Sequence, residues 1–256
     1  MVRIISLLAF LLFSVLSVAQ VTETRTISEF SKIKAATGVE VTFTQGALGK
    51  ATVQADDNEK LADIITKVVG TTLEIYVDSK HFGKNDKKDK KKFNHKILKV
   101  AVSSPSVNEF KASSSSVIIL ENEIDQKSVL LDVSSSATIS GTIKANELTI
   151  DLSSSATIES VISTNKLDAK LSSSSFAKLE GKADDATIKT SSSAELNGKK
   201  ITSKMAKIES SSSSSVSLIV TESIEAKASS SASISYFGNP AKVEVQKSSS
   251  GSVTRK

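Results

Sequence analysis

The chain is 256 residues long and has no cysteine, no tryptophan, two tyrosines and two histidines. Without cysteine no disulfide can staple the fold, and no thiol is available to carry a lipoprotein anchor. Tyr76 and Tyr236 are too few to build the aromatic platforms common in sugar-binding clefts, which disfavours a dedicated polysaccharide enzyme. After the first residues no apolar run approaches a membrane span. No glycine-rich phosphate loop precedes a helix, and no Cys/His spacing fits zinc. A serine triad needs a positioned base, and the candidates are only His81 and His95.

What is present begins with an export pattern. Arg3 supplies a positive start, Ile4 to Val18 is almost unbroken apolar, and Ser17-Val18-Ala19 places small residues around a cleavage point. Residues 1–19 are therefore expected to be a signal peptide cut after Ala19. The rest is expected to be one domain, residues 20–256, with an irregular section at 20–111 and a repetitive one at 112–256.

The formal net charge is +5. Much of the excess lies in Lys84, Lys87, Lys88, Lys90, Lys91 and Lys92. A single basic run without a nucleic-acid motif is expected to be a solvated loop tip. The alternative is contact with an anionic envelope partner, such as lipopolysaccharide phosphates or acidic glycans. His81 and His95 flank the run, with no carboxylate cluster to make a metal site.

The irregular section carries recognisable elements. Val39, Val41 and Phe43 alternate with polar residues as a half-buried strand, and Ala51, Val53 and Ala55 continue the pattern. Asp56 and Glu59 read as a capping box. Leu61, Ile64, Ile65 and Val68 then fit one helical face closed by Gly70. Leu73, Ile75 and Val77 predict a strand, as does the stretch from Ile97 to Val102, with the lysine run between them.

The dominant signal is a Ser-Ser-Ser triplet starting at Ser134, Ser153, Ser172, Ser191, Ser211, Ser229 and Ser248. A nearly constant period of this size marks a repeat architecture. Apolar residues sit five, three and one positions before the triplets, as in Val129, Leu131 and Val133, or Leu148, Ile150 and Leu152. A small residue follows each triplet, and two further on comes another apolar position, such as Ile139, Ile158 and Leu196. This grammar predicts strand, bend, strand, repeated about every 19 residues. A single copy cannot bury its apolar face, whereas stacked copies can. The expected fold is all-β: a parallel β-helix-like solenoid, right-handed, of about seven rungs and roughly 34 Å, with one short helix near the N-terminus.

The pattern resembles the putative auto-transporter adhesin, head GIN domain family. The resemblance rests on Phe30-Ser31-Lys32-Ile33, Gly38-Val39-Glu40-Val41, Leu73-Glu74-Ile75, the repeated triplets, and the closing stretch from Ser231 to Pro240. It implies a β-solenoid and an adhesin-like role, with no catalytic residues to carry over. One departure stands out. The family commonly has glycine at the second bend position, where this chain has Ser135, Ser154, Ser173, Ser192, Ser212, Ser230 and Ser249. Either the bend avoids positive φ, or stacked hydroxyls compensate.

Two surface features invite a functional reading. The serine hydroxyls are expected to bond backbone groups of the bend and its neighbours; the alternative is a hydroxyl face for a periodic ligand such as a polysaccharide. Asp132, Asp151, Lys170, Lys189 and Lys227 stand two residues before their triplets, so stacking would align them about 5 Å apart on the outer face. This reads as a surface charge ladder. Two carboxylates are too few for calcium, and no cofactor or metal is expected. The chain is expected to be a non-enzymatic envelope protein, periplasmic by default or else surface-placed or secreted. Its expected role is adhesin-like binding of envelope glycans, lipopolysaccharide or envelope proteins, with no nucleic acid. The alternatives are a structural scaffold or a β-helix polysaccharide-active enzyme.

Overall fold

The computed structural model describes residues 20–78 and 97–256. The fold is a β-solenoid of about eight turns, all-β apart from one short helix. The long rungs are β10 (Ile124–Val133), β11 (Thr138–Leu152), β12 (Thr157–Leu171), β13 (Phe176–Thr190), β14 (Glu195–Ser210) and β15 (Ser215–Ala228). β11 to β15 each run from one serine bend to the next, β10 leads into the bend at Ser134, and all pair in parallel with their neighbours. The triplet period is the register: Ile139 lies beside Ile158, and Leu148 beside Leu167.

Burial follows the alternation predicted from the triplets. Val129, Leu131, Val133, Leu148, Ile150, Leu152, Ile139, Ile158 and Leu196 are all buried. The alternation breaks a second time in β11, β12 and β14, where two consecutive residues face outward, at Asn146–Glu147, Asn165–Lys166 and Lys204–Met205. There the strand turns a corner without a loop. Buried hydroxyls satisfy carbonyls at this corner: Thr164 Oγ1 donates to Lys166 O at 3.0 Å, and Ser203 Oγ to Met205 O at 2.7 Å. Such bonds offset the cost of burying polar groups away from water.

The rungs start earlier than the triplet at Ser134. β8 (Glu109–Ala112) and β9 (Val117–Leu120) flank a serine bend at Ser113–Ser116. β2 (Lys32–Ala35) and β3 (Glu40–Gln45) flank a bend made by Thr37 and Gly38. β2 and β3 stack in parallel on β8 and β9, and on their other side lie β6 (Thr72–Val77) and β7 (Leu98–Ser104). Phe43 and Phe110 meet edge to face at 5.3 Å inside this region. The twenty-residue spacing from Ser191 to Ser211 is absorbed on the far side of the rung. Between Lys178 and Glu180 the β13–β14 register shifts by one residue, so the bends themselves stay aligned.

The N-terminal end of the stack is closed by antiparallel strands. β1 (Val21–Arg25) pairs with β4 (Ala51–Ala55), and β5 (Ile64–Val69) pairs with β6. Here the helical expectation needs correction. Helix α1 spans only Asn58–Asp63, and Ile64 onward is β5. The run Ile64-Ile65-Thr66-Lys67-Val68-Val69 is dominated by β-branched side chains, which favour strand. Gly70, at φ 61°, sits in the tight turn joining β5 to β6 rather than ending a helix. The cap also moves by one residue. Asp57 accepts from the Lys60 amide at 2.8 Å, and that bond holds its carboxyl below the usual range. Asp56 instead pairs with the Lys60 ammonium at 3.0 Å.

Candidate functional site

The bend is the element that repeats most closely. In every serine bend the second and third residues both have positive φ, from 46° to 55° and from 58° to 63° respectively. The amide after them closes the turn on the first serine, as Ala156 N does on Ser153 O at 3.1 Å. Two successive positive φ values with this closure correspond to a type I′ turn. Serine therefore does occupy the left-handed region where the family commonly has glycine.

Backbone bonds between rungs hold the bend there. The amide of the third serine donates to the carbonyl of the second serine in the next rung: Ser136 to Ser154, Ser155 to Ser173, Ser174 to Ser192 and Ser193 to Ser212, all at 2.9 to 3.0 Å. Gly38 joins the same ladder through Ser114 O at 2.9 Å. The first serine donates the other way, as Ser153 N does to Val133 O at 3.1 Å.

The expectation that these hydroxyls bond the bend is corrected by this geometry. Main-chain partners already satisfy the bend, and the central serines point outward. Among the described residues their hydroxyls make no intramolecular hydrogen bond, except at the buried fourth position. Ser116 Oγ donates there to Ala35 O at 3.0 Å, and Ser214 Oγ to Ser211 O at 2.7 Å. The outcome is an outward double column of unengaged hydroxyls along one edge of the solenoid.

Beside this edge the predicted charge ladder is aligned residue for residue. In register stand Glu74, Lys34, Lys111, Asp132, Asp151, Lys170, Lys189, Glu209, Lys227 and Gln246. Glu209 completes the ladder. It escapes a fixed 19-residue count because its rung is one residue longer, yet it still stands two residues before the Ser211 triplet. Some members are paired: Lys111 with Asp132 at 3.5 Å, and Lys189 with Glu209 at 3.1 Å. Lys227 turns along its own strand to Glu225 at 3.1 Å. The Lys207 ammonium, and after it Lys227, holds the Glu225 carboxyl below its ordinary range. Among the described residues Asp151, Lys170 and Lys247 have no ion-pair partner.

The charge ladder and the first serines of the triplets line one open groove parallel to the solenoid axis. It extends from Asp132 to Lys247 and Ser248, with a volume of about 860 Å³. Its side chains are charged or hydroxylic, apart from short apolar contributions such as Leu152 and Leu171. The groove was not evident from sequence, since its depth depends on the relative heights of neighbouring columns. No group of three or more His, Cys, Asp or Glu residues suited to a metal occurs among the described residues. Lys84, Lys87, Lys88, Lys90, Lys91 and Lys92, with His81 and His95, lie outside the described residues. The strands that lead into that segment, β6 and β7, register with β2 and β3, so Asp78 and Ile97 leave the stack on the serine edge.

The family model for the putative auto-transporter adhesin, head GIN domain, matches residues 29–240. The chain belongs to that family. Solved structures share its fold. A putative adhesin from Parabacteroides merdae superposes with a TM-score of 0.82 at 18% identity, covering 93% of this chain and 96% of that one. A putative lipid binding protein from Parabacteroides distasonis gives 0.80 at 22%, again covering 93% and 96%. A putative adhesin from the same species gives 0.82 at 14%, covering 93% and 97%. No curated protein matches. No helix among the described residues of this chain is long and apolar enough to cross a membrane.

Proposed function

We propose that this family member is an exported, non-enzymatic binding module of the cell envelope, and that the axial groove is its binding surface. The observation that carries this reading is the groove itself. Seven rungs contribute matching positions to one continuous trough, in which the charges of Asp151, Lys170 and Lys247 and the hydroxyls of the first serines are left unengaged among the described residues. Such a surface suits an elongated ligand laid along the rod, held by many weak contacts rather than by one deep pocket. The adhesin descriptions of the family and of two structural relatives are consistent with binding, as is the lipid-binding description of a third. Export rests on the Arg3-to-Ala19 pattern, with the periplasm as default and the cell surface or secretion as alternatives. The Lys84–Lys92 run is a second contact for anionic envelope material.

Retention on immobilised lipopolysaccharide and on purified envelope glycans tests this reading. Three mature proteins are compared: the unaltered chain, one lacking residues 84–92, and Lys170→Glu/Lys189→Glu. The unaltered protein is expected to be retained, and the groove variant to elute early. Deletion of the lysine run should weaken retention on lipopolysaccharide most. If the unaltered chain is retained on neither matrix, the binding reading is wrong. If only the deletion matters, the groove is not the site.

A further inference from the structure

The charges in the groove are not evenly mixed. Asp132 and Asp151 occupy the end nearer the N-terminus. Beyond them come Lys170, Lys189, Lys227 and Lys247, opposed within the groove only by Glu209. Lys170 and Lys247 have no ion-pair partner among the described residues, while Lys189 is paired with Glu209 and Lys227 with Glu225 beside the groove. The basic part covers the rungs from β12 to the strand β17 (Lys242–Lys247), a length of about 19 Å at one strand spacing per rung. Resting on the binding reading above, the geometry points to an acidic glycan as the ligand. A uronate-bearing polysaccharide would lie parallel to the solenoid axis, its carboxylates against Lys170, Lys189 and Lys227 and its hydroxyls against Ser172, Ser191, Ser211 and Ser229.

Three features select this chemistry over an acidic peptide. The strands that flank the groove have their amides and carbonyls committed to neighbouring rungs. No open edge runs along the trough for a peptide to extend as an added strand. The first serines repeat at one offset per rung, so the surface presents the same hydroxyl at a constant spacing beside the lysines. A repeating polymer can satisfy that arrangement throughout its length. The hydroxyls of the first serines also offer both donors and acceptors, which suits sugar hydroxyls, whereas a carboxylate-only polymer would use the donors alone.

Binding of polygalacturonate to the mature protein tests the assignment. Its controls are the same polymer with its carboxyls reduced to alcohols, and poly-glutamate of matched length. Polygalacturonate is expected to bind, to weaken as sodium chloride is raised, and to gain affinity with oligomer length until about 19 Å is filled. Lys170→Glu/Lys227→Glu, at exposed positions that leave the core intact, is expected to cost about tenfold. Ser172→Ala/Ser191→Ala is expected to weaken polygalacturonate more than poly-glutamate. Equal binding of the carboxyl-reduced polymer would overturn the acidic assignment while sparing the binding reading. Equal binding of poly-glutamate, or indifference to both variants, would overturn the glycan assignment in this groove. Failure to bind polygalacturonate, with retention on lipopolysaccharide or another envelope glycan, would remove this inference alone. Failure on every matrix would remove both.

Discussion

The amide of Ser155 donates to the carbonyl of Ser173 in the next rung at 2.9 Å. Both residues are in the left-handed region, at φ 60° and 55°. The bond shows how the stack tolerates a conformation that serine disfavours: the bend is held by main chain, and the hydroxyl is not what holds it.

Replacing Ser154 by glycine should therefore stabilise the protein. A left-handed φ costs a side-chain-bearing residue about 1–2 kcal/mol, and glycine's greater unfolded entropy returns about 0.5–1 kcal/mol of that gain. The net gain is about 0.5 kcal/mol, a rise in melting temperature of about 1–2 °C for a chain of this size. Ser154→Val should move the other way, since a β-branched residue is a genuine outlier at this φ. A lower melting temperature for Ser154→Gly in calorimetry would mean that the hydroxyl supports the bend after all.

Gly181 is where a side chain is least tolerated. Its φ is 109°, and a Cβ there would lie 2.1 Å from the carbonyl oxygen of Ile162 in the preceding rung. Neither the strand nor its neighbour can move without breaking the ladder. Gly181→Ala is expected to cost about 2–3 kcal/mol, from overpacking and backbone strain together. Chemical denaturation that finds it as stable as the parent would show that the β12–β13 pairing yields locally.

How far the sequence reveals this molecule depends on whether a feature is periodic. The inward columns through Leu131, Ile150 and Ala169 recur at a fixed offset from a visible marker, so rungs, register and the charge ladder are legible. The rung at Ser113–Ser116 is harder to see, because β8 contributes only Phe110 and Ala112 inward before the bend. The segment from Leu61 to Val68 satisfies both periods at once, and only pairing of Ile64–Val69 with β6 decides for strand. The role of the serines is misjudged from sequence for a related reason. Residue identity shows that a hydroxyl is available, but not that a main-chain amide one rung away already occupies the acceptor.

Arg25 ties the N-terminal closure together. Its guanidinium donates to Leu61 O at 3.0 Å and to Ile64 O, where α1 ends and β5 begins, and pairs with Glu23 at 2.7 Å. Arg25→Met keeps the apolar stem but leaves those carbonyls without their charged donor, at a cost of about 1–3 kcal/mol. In hydrogen-exchange mass spectrometry, peptides over 58–69 should lose protection while those from the C-terminal rungs stay unchanged, because repeats couple mainly to neighbours. Uniform loss along the chain would contradict a local closure.

Glu109 gives the fold a calculable response to acid. It is 2.7 Å from Lys32 on the neighbouring strand β2 and 3.0 Å from Lys111 two residues along its own strand β8. The Lys32 hydrogen bond is the main cause that holds its carboxyl below the ordinary value of 4.5, against a smaller upward push from burial. A carboxyl depressed in the folded state binds its proton more readily when unfolded. Its stabilisation is therefore complete above the unfolded value and is lost as pH falls through the lower folded one. Glu109→Gln removes the charge at every pH. The melting temperature of the variant should lie below that of the parent at neutral pH, and the gap should close as pH falls below the ordinary carboxyl value and through the lower folded one. A gap of constant size from neutral pH down to that point would mean that Glu109 acts through packing rather than through its two lysines.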